Sequence, residues 1–294
     1  MANKPNQLFI KLLCILCLGA FSCSDKDEIV VFETDKGQMV AILYDETPQH
    51  KANFLKLAKD GKFDSVLFHR VIEDFMIQTG DVATGTFGEA VNYRLPAEFH
   101  PEKYIHEKGS LAAARRGDVV NPLKESSGSQ FYIVHGKTFD EEGLKERADR
   151  RHYLKLYGLF ERMLKSKRFP ELTEKYNYHM GLYEEDTTYD IIKAQKELIY
   201  QSLSVIEKQF GDQTDPGYPD WAQNKYASLG GAPHLDGEYT VFGKVIDGLE
   251  IIDKIATVET DQRDKPIQQI RMTVRVLKLP KSEIEQRFNH TYPK

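Results

Sequence analysis

The sequence predicts a mainly β unit with an α-helical segment set into it. Two stretches, residues 29–138 and 233–280, carry short alternating apolar runs separated by turn formers. Between them, residues 139–232 are rich in Lys, Glu, Leu and Tyr and repeat their aliphatics at helical spacing. A Gly230-Gly231-Ala232-Pro233 exit marks the return to strands.

Before the first strand, residues 1–22 read as a secretory signal: early lysines, then the short apolar run LLCILCLGAF. That run is too short to span a bilayer as a mature helix. It ends in Ala20-Phe21-Ser22-Cys23, a small residue before a cysteine, which resembles a bacterial lipobox despite the bulk of Phe21. Of the three cysteines, Cys14 and Cys17 would leave with the signal. Cys23 then has no partner for an internal disulfide, and lipid attachment is its simplest use. An ordinary signal peptide with a chance cysteine is the alternative. Residues 23–28 form an acidic tether, either a signal for sorting to the outer membrane or a solvated spacer. The expected destination is the cell envelope, with the chain anchored by lipid and facing the periplasm or the surface.

Within the first β stretch, IVVFETDKGQMVAILY gives two strands around an Asp35-Lys36-Gly37 turn. A helix follows in TPQHKANFLKLAKDG. Thr47 is its expected cap, Pro48 fits its first turn and Gly61 ends it. Phe54, Leu57 and Ala58 alternate with Ala52, Leu55, Lys56 and Lys59, so that one face of the helix is apolar. FHRVIEDFMIQTGD (68–81) then gives two strands joined by an acidic turn, with an arginine and a glutamine among large apolar residues. That mixture fits a surface both greasy and polar, as a peptide groove is. If the turn keeps register, the even spacing of Arg70, Met76 and Gln78 puts them on one face.

Residues 109–135 give a strand, a polar loop and a further strand. In the helical segment Ile192, Ile199 and Ile206, and Ile191, Leu198 and Val205, recur every seven residues. This stripe packs within the insertion or pairs with another chain. The chain resumes strands at YTVFGKVIDG, adds a short helix and ends its sheet with IRMTVRVLKL, leaving residues 281–294 as a tail.

A net charge of −5 leaves no basic footprint for nucleic acid. The histidines are scattered, with no His-x-x-x-His pair, so no metal or cofactor is expected.

FHRVIEDFMIQTGD resembles the cyclophilin signature. Three further segments follow in the family's order: Ser110–Arg115, Gly128–Ile133 and His234–Gly237 with Val241–Val245. The resemblance implies a closed eight-stranded antiparallel β-barrel capped by two helices. Such a small barrel is packed inside, so its ligand lies on the outer wall. It implies cis/trans isomerisation of X-Pro bonds, with proline-containing polypeptides as partners. Arg70 and Gln78 match the catalytic positions. Phe75, Met76, Tyr132 and Leu235 match the pocket for the proline ring. Ala114, Arg115 and Gln130 match positions that bind the substrate backbone, and His234 and Tyr239 flank the pocket. Several residues depart from the family pattern. Thr79 stands where glycine is usual and would reshape the turn after Gln78. Tyr132 replaces phenylalanine, so its hydroxyl needs a partner. His234 takes the place of a tryptophan, and Tyr239 that of a histidine. A second reading keeps the groove as a proline-peptide binder with little turnover and gives the main task to the insertion, as a chaperone arm or docking surface.

Overall fold

The computed structural model describes residues 25–86 and 88–292. The signal segment and Cys23 lie outside them. Ten strands and eight helices are defined among the described residues. The strands are β1 (Lys26–Thr34), β2 (Gly37–Leu43), β3 (Val66–Leu67), β4 (Arg70–Ile72), β5 (Met76–Thr79), β6 (Arg94–Leu95), β7 (Ser110–Arg115), β8 (Ser126–Val134), β9 (Val241–Asp247) and β10 (Arg271–Pro280). The helices of the β unit are α1 (Pro48–Lys59), α7 (Leu249–Ala256) and α8 (Lys281–Phe288). The insertion holds α2 (Glu141–Lys165), α3 (Pro170–Glu185), α4 (Ile191–Gln201), α5 (Leu203–Phe210) and α6 (Asp220–Ser228).

The strands form one curled antiparallel sheet in the order β3-β10-β1-β2-β9-β7-β8-β5-β4, with β6 paired to β8. It differs from the expected closed eight-stranded barrel in two ways. Ten strands are hydrogen-bonded, because β3 and β6 are two-residue pieces too short to leave an alternating pattern. The ladder also stays open between β3 and β4, its two ends. Only Phe68 and His69 separate those ends in the chain, and they bond elsewhere: Phe68 N–H to the Ile270 carbonyl and His69 N–H to that of Gln78. Thr79 bridges this seam. Its buried hydroxyl donates to the Leu67 carbonyl at 3.0 Å. Thr79 is the last residue of β5, opposite Phe131 and directly before the turn at Gly80.

The sheet's concave face is the core. Val30, Phe32, Met39, Ala41, Ile133 and Val274 meet the apolar faces of α1 and α7 there. Phe54 of α1 lies 5.0 Å from Phe63 and 5.1 Å from Phe131 between ring centroids. The expected cap of α1 is replaced. The Thr47 hydroxyl donates to the Tyr44 carbonyl, while the N–H groups of Gln49 and His50 donate to the carboxylate of Glu98. A carboxylate at a helix N-terminus satisfies orphan donors and suits the helix dipole.

Both ends of the described residues are more ordered than the sequence suggests. Lys26, Asp27 and Glu28, read as tether, belong to β1 and pair with β10 as far as Pro280. The expected tail carries α8, whose Ile284 is fully buried with Ile29, Val31, Val40 and Ile42. Here β1 and β2 are apolar on both faces, so the outer one also needs cover.

The insertion leaves and returns at one point. Lys137 and Gly231 exchange backbone hydrogen bonds, and a Cβ at Gly136 would meet the Gly231 Cα at 2.3 Å. Meeting ends make a long insertion cheap in closure entropy. Of the heptad stripe, Leu198, Ile199 and Ile206 pack against Leu156, Phe160 and Met163 of α2, whereas Ile192 is 72% exposed. The stripe is broken at Ser202, where α4 gives way to α5. A second cluster joins the insertion to the β unit through Leu144, Ala148, Ala222, Tyr226 and Ile105.

Candidate functional site

The acidic turn keeps register, so β4 and β5 pair Arg70 with Gln78 and Ile72 with Met76. The next strands continue the rows. Gln78 stands opposite Tyr132 of β8, and Tyr132 opposite Ala112 of β7. Arg70, Gln78, Tyr132 and Ala112 thus form one row across four strands, on the outer face because side chains alternate and Val71, Ile77 and Ile133 point to the core.

Over this row lies a second apolar cluster, separate from the core. It includes Met76, Ala114, Tyr132 and Leu235, with Phe75 and Tyr239 packed on it. The structure therefore gathers six of the sequence-predicted residues on one wall. His234 joins from the rim, its ring 5.4 Å from that of Phe75. Partial burial and the nearby Arg147 charge lower the pKa of this imidazole. Gln130 follows on the same face of β8, and the Gln78 amide reaches its oxygen at 3.5 Å, a weak contact.

Arg70 is about 42% exposed, and its Nε donates to Asp264 at 3.3 Å. Asp264 sits in the loop before β10 and also accepts the Val71 N–H on its carbonyl. That loop therefore fixes both the backbone and the side chain of β4.

Ala114 lies at a register shift between Ala113 and Arg115 in the ladder to β8, while the ladder to β9 ends at Ala112. Arg115 does not offer its side chain to the groove. Its Nε donates to the Glu238 carbonyl at 2.8 Å, its amino groups bind Asp118 and Glu238, and its plane lies 4.5 Å over the Tyr239 ring.

The Tyr132 hydroxyl has found its partner inside the protein. It meets His106 Nε2 at 3.1 Å; His106 Nδ1 meets Asp236 Oδ1 at 2.9 Å, and Asp236 Oδ2 accepts the Tyr226 hydroxyl at 2.5 Å. A carboxylate only accepts, so Nδ1 carries the proton, and in the neutral imidazole Nε2 accepts from Tyr132. Burial holds the Tyr132 and Tyr226 hydroxyls in their protonated forms, far above the usual phenol range. Tyr226 belongs to α6, so this chain of bonds runs from the insertion to the wall. Sequence reading missed His106, Tyr226 and Asp264. Asp236 stood within a quoted motif, but nothing in the letters ties it to a histidine far upstream.

The family described as cyclophilin type peptidyl-prolyl cis-trans isomerase/CLD matches residues 29–154 and 224–276, more than half of the chain. The chain belongs to that family of peptidyl-prolyl isomerases. A protein of Streptococcus pyogenes, provisionally named a bifunctional phosphatase/peptidyl-prolyl cis-trans isomerase, is 30% identical over 82% of this chain. This chain spans only 37% of that protein's length. A Staphylococcus saprophyticus protein, provisionally named a peptidyl-prolyl cis-trans isomerase, is 29% identical over 82% of this chain and 87% of its own. The crystal structure of a Cryptosporidium parvum cyclophilin type peptidyl-prolyl cis-trans isomerase superposes with a TM-score of 0.48 at 19% identity, over 90% of this chain and 99% of that one.

Proposed function

We propose that this isomerase turns X-Pro bonds in exported polypeptides, using the outer wall of β4, β5, β7 and β8. The observation that carries the reading is the row Arg70–Gln78–Tyr132 with Phe75, Met76 and Leu235 beside it. The barrier to rotation is amide resonance, about 18–20 kcal/mol. No nucleophile is needed. The apolar wall holds the proline ring while the acyl side turns. The Arg70 guanidinium stabilises the lone pair that grows on the proline nitrogen as resonance is lost. It stays charged and is held in place by Asp264, so little reorganisation is required in the transition state. Gln78 and Gln130 exchange their weak mutual contact for the substrate backbone. The backbone at Ala114, where the register to β8 shifts, offers a strand-like edge for the same peptide.

The exported setting is supported by the sequence of residues 1–22 and by Cys23 as the point of lipid attachment. Intact mass of the mature chain tests it: a diacylglyceryl-cysteine N-terminus is expected, and an unmodified Cys23 overturns the anchor. For the catalytic reading, exchange NMR on an Ala-Pro peptide with the full chain at catalytic concentration is the test. Cis–trans cross-peaks that fade with Arg70→Ala are expected. Binding without any exchange would make the protein a proline-peptide binder instead.

A further inference from the structure

A cleft of about 960 Å³ lies beside the wall just described, between α2 and the 233–238 loop. That volume matches the roomiest small-ligand sites. The loop is shared by both sites. Leu235 packs into the apolar wall, while His234, Gly237 and Glu238 line the cleft. His234 touches both, since its ring also packs on Phe75. A polypeptide leaving the proline site past His234 therefore enters the cleft.

The cleft's charges are unequal in what they have left to bind. Its acids are already engaged: Asp215 with Arg151, Asp118 and Glu238 with Arg115, and Asp236 with His106 and Tyr226. Of its cations only Arg151 is taken up, by Asp215 and the face of Tyr218. Arg150 and Lys155, both exposed on α2, have no ion pair among the described residues. Asp212, whose charge senses Lys155, turns its Oδ1 to Thr214. Arg147 lies 4.4 Å over the Phe139 ring and keeps its charge at the cleft's edge. Leu154, 55% exposed, supplies an apolar floor between them.

The geometry points to an extended subsite that takes an acidic stretch of the substrate polypeptide flanking its X-Pro bond. This rests on the isomerase reading and adds to it a substrate class, acid-flanked prolines, selected by the helical insertion. Two exposed cations give a modest preference, roughly five- to tenfold in kcat/KM, carried by KM.

The test compares X-Pro peptides flanked by two Glu with the same peptides flanked by two Lys, on either side of proline, with the full chain. The wild type favours the acidic peptide. The ratio shrinks at about 1 M salt, where screening acts over roughly 3 Å, and falls to one or below in Arg150→Glu/Lys155→Glu. Both residues face solvent, and a melting curve confirms the variant's fold. Salt titration of the wild type gives the answer even if that variant fails to fold. A ratio near one in the wild type overturns the proposal. So does a variant that loses binding to phosphatidylserine vesicles while keeping the wild-type peptide ratio. If no peptide is turned over, the isomerase reading fails. Fluorescence anisotropy of the labelled acidic peptide then decides the cleft alone: tighter binding than the basic peptide supports it, and equal binding overturns it.

Discussion

Replacing Tyr132 by phenylalanine separates stability from catalysis at this site. The ring stays, so the apolar wall for proline keeps its shape. Only the hydroxyl is lost, and with it the 3.1 Å bond to His106 Nε2. Tyr132 is 4% exposed and His106 lies in the buried interior, so no water takes over. Leaving one buried polar atom unpaired costs about 1–3 kcal/mol. For a chain of this size each kcal/mol moves Tm by about 2–4 °C, so a fall of roughly 2–12 °C is expected. Proline turnover should stay within about twofold, because the reacting groups are untouched. Tyr226→Phe removes the far end of the same chain of bonds. The two substitutions combined should be non-additive by at least about 0.5 kcal/mol, as for residues in one network. Thermal melts and an X-Pro isomerisation assay on the four proteins read both quantities. An unchanged Tm in Tyr132→Phe, or strict additivity, would refute the network. Lost turnover at unchanged Tm would mean that the hydroxyl itself acts on the substrate.

Thr79→Gly should restore the family's residue yet destabilise the fold by about 1–3 kcal/mol, because the Thr79–Leu67 bond ties the open seam; urea denaturation would show it as a lower midpoint. His50 and Glu98 predict acid sensitivity. Burial lowers the His50 pKa; burial works to raise that of Glu98, but hydrogen bonds from the His50 ring and from the His50 and Gln49 N–H groups leave it lowered. Both shifts favour the fold above the unfolded pKa values, near 6.5 for His50 and 4.5 for Glu98. Stability is therefore full at neutral pH, begins to fall below about pH 6.5 and falls again below about 4.5. His50→Gln should make the first step of a Tm–pH curve shallower; His69, His234 and His290, also lowered by burial, contribute the rest. Phe54→Ala opens the aromatic core and should cost about 3–5 kcal/mol, measured by the same denaturation; a loss under 1 kcal/mol would contradict the packing described.

Much of this was written locally. The hairpin of β4 and β5 was legible because period-two spacing and an acidic turn fix which side chains share a face. Pro48 and Gly61 bounded α1, and recurrent aliphatics marked the insertion as helical. What escaped the sequence were contacts between distant residues. Glu98 caps a helix that starts fifty residues earlier, and Asp264 steadies Arg70 from the loop before the last strand. His106, Asp236 and Tyr226 meet only because the insertion closes on itself at Lys137 and Gly231. The ends misled for another reason. Charged Lys26–Glu28 and Lys281–Phe288 look like solvated tails, but the apolar outer face of β1 and β2 needed cover.

The central claim is that Arg70, held opposite Gln78, lowers the barrier to rotation about X-Pro bonds. It is tested most directly by kcat/KM for a short X-Pro peptide in the wild type, Arg70→Lys and Arg70→Ala. Removing a preorganised donor of this kind costs on the order of 10²–10³ in turnover. Lysine should recover only part, since it keeps the charge and loses the planar fork. Because Arg70 is half-exposed and its ion pair stabilises little, all three proteins should melt within a few degrees of one another. Turnover in Arg70→Ala equal to the wild type would contradict the account.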